Sequence, residues 1–160
     1  MHCYIVFAHP SKNSFTHSVL ESFIAGLAES NHTYEIGNLY QMNFDPVMDI
    51  SQYEREVRIT QTQVPQDVKT EHKKIQKAQA LVFIYPNWWS DCPAILKGWF
   101  DKVWSYGFAY EYIDNVRHSY VKPRNALVIC TAGYTAEKLE EIGIAEIQMF
   151  KTKSTLRFWR

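Results

Sequence analysis

The chain has 160 residues, equal numbers of acidic and basic side chains, a formal net charge of zero and a sequence pI near 7. That length suits one ordinary domain with its own core, so a single domain over residues 1–160 is expected. The balanced charge leaves no basic footprint for nucleic acid and points to small molecules or other proteins as partners. The opening "MHCYIVFAHP" has no basic leader and no small-residue cleavage pattern. The longest apolar run, "ALVFIY", falls far short of the roughly 18 residues of a membrane span. Neither a secretion signal nor a span is expected. Cys3, Cys92 and Cys130 are widely spaced and form no CxxC, which fits reduced, inert thiols in a cytoplasmic protein.

Residues 3–9, "CYIVFAH", are a β-branched and aromatic run closed by Pro10, Ser11, Lys12 and Asn13, a strand followed by a turn. From residue 14 to about 28, Phe15, Val19, Leu20, Phe23, Ile24 and Leu27 recur at helical spacing. Residues 33–40, "TYEIGNLY", are a weaker strand candidate, and 41–67 form a long connection with room for one short helix. The charged stretch 67–78 suits a solvent-facing helix, and "QALVFIY" at 79–85 reads as a strand buried on both faces. A helix over 93–104 follows, with Ser90 or Asp91 available to cap it and Ile95, Leu96, Trp99, Phe100, Val103 and Trp104 as its apolar stripe. Beyond an aromatic connection, "NALVICTA" at 125–132 is predicted as another buried strand, and a helix starting near Thr135 runs through "AEKLEEIGIAEIQMF". Strand and helix alternate, which argues for a parallel α/β sheet with helices on both faces. After Phe150 only "KTKSTLRFWR" remains. Three readings stay open for this end: "STLRFWR" is a brief edge strand with no closing helix, the chain is truncated, or a partner covers the edge.

In such a sheet, ligands sit where loops leave the carboxyl ends of the strands. The first loop, "AHPSKNSFTHS", offers the hydroxyls of Ser11, Ser14 and Thr16 and a helix N-terminus, a combination suited to phosphate as well as to plain capping. It has neither the G-x-G-x-x-G fingerprint of dinucleotide folds nor a P-loop. The second, "YPNWWSDCP", carries adjacent Trp88 and Trp89, suited to edging a flat heteroaromatic ring or to filling the core. The third, "TAGYT", places Gly133 where the backbone can approach a ligand, or where a turn simply needs a glycine. His9 ends the first strand on the ligand side. His2, His17, His32, His72 and His118 are scattered and expected at the surface, no pair has metal-ligand spacing, and Glu140 and Glu141 look like a solvated helix face.

"AHP" followed by "SF", the long motif "YPNWWSDCPAILKGWFDKVWSYGFAY", and "TAG" after the last strong strand closely resemble the flavodoxin-like NAD(P)H:quinone oxidoreductase family, over roughly residues 1 to 150. The resemblance implies a flavodoxin-like doubly wound parallel sheet of order 2-1-3-4-5, with the fifth strand and last helix short or missing here. It implies FMN, or alternatively FAD, at a homodimer interface, with NAD(P)H as co-substrate. His9, Ser14, Phe15 and Thr16 would surround the phosphate. Pro86, Asn87, Trp88 and Trp89 would line the isoalloxazine ring, and Thr131, Ala132 and Gly133 would approach its pyrimidine end. Hydride would pass from NAD(P)H through flavin N5 to a quinone, or to azo or nitro compounds, by a ping-pong mechanism. Tyr106, Phe108, Tyr110 and Tyr112 would wall the acceptor site, form the dimer contact, or pack in the core. The family's second Thr and second Gly are replaced by Ala132 and Tyr134; in a stretch without histidine Tyr134 is the catalytic candidate, placed to add a hydrogen bond to the reduced flavin, and the proton donor stays open. A flavodoxin-type electron carrier and a regulatory subunit of the potassium-efflux ancillary type are the alternatives that share this fold.

Overall fold

The computed structural model describes residues 1–58, 63–123 and 125–146. Its elements run β1 (His2–Phe7), α1 (Phe15–Glu29), β2 (Thr33–Asn38), α2 (Ile50–Glu56), α3 (Gln66–Lys77), β3 (Ala80–Pro86), α4 (Ala94–Val103), β4 (Glu111–Ile113), β5 (Val116–His118), β6 (Asn125–Thr131) and α5 (Ala136–Glu141). Four strands form one sheet in the order β2-β1-β3-β6, every neighbouring pair parallel. This is the first four-fifths of the expected doubly wound order, with β6 in the fourth place. The candidate fifth strand and the last residues of the final helix lie outside the described residues.

Successive strand residues point to opposite faces, and β1 divides accordingly. Tyr4, Val6 and Ala8 join Leu81, Phe83, Ile75, Leu96, Trp99 and Val103 in one core layer, beneath α3 and α4. Cys3, Ile5 and Phe7 join Val82, Ile84, Leu20 and Leu27 in the other, beneath α1. Gly98 lets α4 approach the chain before α2, since a Cβ there would fall 2.2 Å from the Pro46 carbonyl oxygen and 2.4 Å from its Cβ.

Several expectations are corrected or filled in. The α3 helix is not a solvent-facing rod: Val68, Glu71 and Ile75 are buried along one side. Pro93 occupies the cap position of α4 with no side-chain capping bond, because Asp91 turns instead to the Cys92 amide (2.7 Å). The aromatic connection contains an antiparallel hairpin, β4 with β5, turned through Asp114 and Asn115, both in the left-handed region. Strand β6 is not buried on both faces: Leu127 is 44% exposed and Cys130 is exposed, since among the described residues β6 pairs only with β3. The final helix, expected to start near Thr135, is interrupted: α5 ends at Glu141, Gly143 at φ 73° breaks it, residues 144–146 are helical again, and the rest of the expected helix lies outside the described residues. Among the described residues no helix is long and apolar enough to cross a membrane.

Candidate functional site

Parallel pairing puts the carboxyl ends of β1, β3 and β6 side by side. Phe7 lies opposite Ile84 and Pro86 opposite Thr131, so the loops that follow leave from one sheet edge. The ladder continues past the strand ends, with the Ala8 amide donating to the Ile84 carbonyl (3.1 Å) and the Asn87 amide to the Thr131 carbonyl (2.7 Å).

The first loop is organised around Ser11 and Ser14. The Ser14 hydroxyl donates to the Ser11 carbonyl (2.9 Å) and accepts from the His17 amide (3.1 Å), capping α1. The Ser11 amide donates to Nδ1 of His9 (3.0 Å), which fixes the imidazole plane. A cavity of about 120 Å³ opens beside this loop, lined by Phe7, His9, Ser11, His17, Asn38 and Tyr40 among others. Phe15 is exposed and Thr16 is buried, so neighbouring residues of the first helical turn face opposite ways.

The second loop decides between the two readings of the tryptophan pair. Trp88 and Asp91 exchange backbone hydrogen bonds (2.9 and 3.1 Å) around a two-residue turn, Trp89 at φ 51° and Ser90 at φ 62°. Neither residue is glycine, so the left-handed turn costs about 1–2 kcal/mol at each. Trp89 is fully exposed and Trp88 is 42% exposed, so neither is a core tryptophan. The Trp88 ring meets the His9 ring edge-on, 6.0 Å between centroids, joining second loop to first. Asn87 contributes a buried Oδ1 without a hydrogen-bond partner, an acceptor aimed where no protein donor answers it.

Thr131 closes the triangle. Its Oγ1 lies 2.7 Å from Oγ1 of Thr16, joining the third loop to the first, while its carbonyl holds the Asn87 amide of the second. At Gly133 an added Cβ would meet nothing within 4 Å, so the space in front of this backbone is open. Tyr134 is exposed beyond it.

The sequence-selected residues thus fall into two groups. His9, Asn87, Trp88, Thr16 and Thr131 are tied to one another directly. Ser14, Phe15, Pro86, Trp89, Ala132, Gly133 and Tyr134 share the same edge through their loops. Sequence reasoning missed Asp91, which closes the tryptophan turn. Cys92 beside it is raised to about 12, mainly by burial and then by the Asp91 carboxylate, which keeps the thiol protonated and inert. His72 is not a surface histidine: its ring stacks on Phe108 at 3.6 Å, Nε2 meets the Val103 carbonyl at 2.9 Å, and burial holds its pKa below the ordinary value. Of the four aromatics in the connection, Phe108 is therefore core, whereas Tyr112 is exposed.

A protein-family model described as the flavodoxin-like fold matches residues 1–160. A solved NAD(P)H:quinone oxidoreductase from Methanothermobacter marburgensis is 53% identical and superposes with a TM-score of 0.86, over 91% of this chain and 74% of that one. The chain belongs to the flavodoxin-like NAD(P)H:quinone oxidoreductase family. An uncharacterized NAD(P)H oxidoreductase of Haemophilus influenzae is 32% identical over 141 residues, 88% of this chain and 68% of the relative. NAD(P)H dehydrogenase [quinone] 1 of Cavia porcellus is 32% identical over 143 residues. The chain spans about half the length of that relative, the match covering 52% of it.

The donor set and shape of the edge fit a flavin. An orphaned amide oxygen, exposed indoles beside it, open space before a glycine backbone and a capped helix N-terminus are what a planar heterocycle with an anionic tail requires.

Proposed function

We propose that this protein is a flavin-dependent NAD(P)H:quinone oxidoreductase that uses FMN. The single observation that carries the reading is the tryptophan turn: Trp89 held outward on left-handed backbone and Trp88 half-exposed before it, beside the orphaned Asn87 Oδ1, at the edge shared by all three loops. Backbone strain and exposed apolar surface persist where a ligand makes use of them. The Ser14-capped N-terminus of α1 suits a terminal phosphate, which FMN carries.

When bound, the flavin supplies the chemistry that amino acids lack, accepting a hydride from NAD(P)H and passing an electron pair to the quinone in a ping-pong cycle. The protein positions and polarises. The first-turn amides of α1, that of Thr16 included, with Ser14 beside them and His9 against the loop, would hold the phosphate. Pro86, Asn87, Trp88 and Trp89 would border the ring and exclude water from one side of it. Backbone at Thr131, Ala132 and Gly133 would face its pyrimidine end, where amide dipoles would stabilise negative charge. Tyr134 carries the hydroxyl that donates a proton to the acceptor.

The protein works as a homodimer in this reading. Ile50 and Tyr53 on α2 and Val57 at its C-cap are all exposed, and beside them lies a cavity of about 350 Å³ lined by Met48, Phe100, Trp104 and Tyr110, with Glu56, Lys97 and Asp101 at its polar side. Such a continuous apolar face on a small chain supports a second copy seated there. Tyr112, exposed on β4, then reaches toward the partner's ring site as a wall for the acceptor.

The test is steady-state turnover of the FMN-loaded protein with NADH or NADPH and a benzoquinone or naphthoquinone. The expected result is sustained nicotinamide oxidation with parallel lines in double-reciprocal plots. An FMN-loaded protein that exchanges single electrons but does not oxidise NADH or NADPH would support the carrier alternative instead.

A further inference from the structure

The contact between Thr16 and Thr131 spans 115 positions of sequence and joins the first turn of α1 to the last residue of β6. At 2.7 Å between hydroxyl oxygens it has the length of a well-formed O–H···O bond, and Thr16 is almost fully buried. A helical threonine ordinarily turns its hydroxyl back onto its own helix. Here the hydroxyl reaches across to another loop.

Apolar packing explains why α1 lies on the sheet, through Leu20 and Leu27, but it does not fix how far the helix slides along the strands. Hydrophobic contact is non-directional, whereas a hydrogen bond fixes position to fractions of an ångström. Thr131 makes two directional bonds to two different loops, its hydroxyl to Thr16 and its carbonyl to the Asn87 amide at 2.7 Å. Through this one residue, the helix end that faces a phosphate and the loop that borders a ring are set at a fixed separation.

We infer that Thr16 and Thr131 are positioning residues that act as one clasp, setting the spacing between the phosphate loop and the ring loop, with each hydroxyl's partner being the other threonine. The inference rests on the reading of these loops as a flavin site, and it differs from that reading in one respect: the two hydroxyls serve each other, so losing one is equivalent to losing both.

The experiment is a double-mutant cycle with Thr16→Val and Thr131→Val, which keep side-chain shape, and with Thr16→Ser and Thr131→Ser, which keep the hydroxyl. Two quantities are read: FMN affinity, by quenching of flavin fluorescence, and amide exchange at Asn87 in the protein without flavin. Each Val variant is expected to weaken FMN binding roughly tenfold, the double variant no further, and each Ser variant by less than about threefold, as the loss or retention of one hydrogen bond implies. Asn87 exchange is expected to accelerate in both Val variants and in neither Ser variant. Losses that multiply in the double variant would mean that each hydroxyl touches the ligand independently, and would overturn the clasp. Unchanged Asn87 exchange would overturn it as well. If the unaltered protein binds neither FMN nor FAD, the flavin reading fails, and the exchange measurement alone still decides the clasp.

Discussion

Two regions of this molecule hold polar and aromatic groups at high density, and they do so in opposite ways. Beneath the sheet, the fully buried Glu71 carboxylate accepts from the Trp99 indole (2.8 Å), the Lys74 ammonium (2.8 Å) and the Tyr4 hydroxyl, linking α3, α4 and β1. Every donor there has its acceptor, and the rings are packed. At the loop edge, Trp89 stands in solvent on left-handed backbone, Trp88 is 42% exposed beside it, and the buried Asn87 amide oxygen lacks a partner among the described residues. Satisfied polar groups in a packed layer stabilise a fold, and unsatisfied ones at a strand edge wait for something else. The same residue types therefore carry structure in one place and, in the function proposed above, binding in the other.

The comparison breaks most visibly if Glu71 is removed. Glu71→Leu leaves the Tyr4 hydroxyl and the Trp99 indole N–H without acceptors, and a stability loss of about 3–5 kcal/mol is expected in urea unfolding. A loss under about 1 kcal/mol would show the cluster to be incidental. Gly98→Ala comes next, because its new Cβ meets Pro46 backbone, and about 2–3 kcal/mol should be lost as α4 shifts.

Tyr4 gives the buried cluster a signature in pH. Burial first, and the neighbouring Glu71 carboxylate second, hold its hydroxyl protonated far above the ordinary tyrosine range. A group whose folded pKa is raised contributes stability in full below its unfolded pKa, and that contribution is lost as pH climbs further. Stability should therefore fall from about pH 10 upward, more steeply in the natural protein than in Tyr4→Phe. Parallel pH profiles for the two would contradict the assignment.

The loop edge responds with the opposite sign. Trp89 is fully exposed with φ 51°, so Trp89→Gly should raise stability by about 1 kcal/mol while weakening flavin binding. The smallest effect on stability is expected at Gly133→Ala, within about 0.5 kcal/mol, because nothing lies within 4 Å of the added methyl. Two glycine-to-alanine changes in one chain, at 98 and 133, thus separate a site filled by protein from a site left for a ligand.

The sequence foretold some of these features and hid others, for physical reasons. The β1 and β3 strands were legible because a parallel strand covered on both faces must be apolar throughout, and residues 3–8 and 80–84 are. The three loops were legible from turn residues and the tryptophan pair. Glu71 was not, because a carboxylate inside "KTEHKK" has the local pattern of a solvated helix face, and only Tyr4 and Trp99, far away in the chain, make it a core residue. The Thr16 and Thr131 contact was hidden for the same reason. The β4–β5 hairpin does leave a local signal: Asp114-Asn115 flanked by Tyr112, Ile113 and Val116 is a two-residue turn between β-prone residues. The break after α5 is not legible in the sequence because the apolar period runs on across Gly143, whose φ of 73° interrupts the helix.

The central claim is that the open edge, and not the buried cluster, is built to hold a flavin. The most direct measurement is an equilibrium titration of FMN into the flavin-free protein and into Gly133→Ala, with the thermal midpoint of each recorded alongside. The account expects saturable binding that quenches flavin fluorescence in the natural protein, affinity at least roughly tenfold weaker in Gly133→Ala, and thermal midpoints that coincide. Identical affinities in the two proteins, or no saturable binding of FMN or FAD by either, would contradict it.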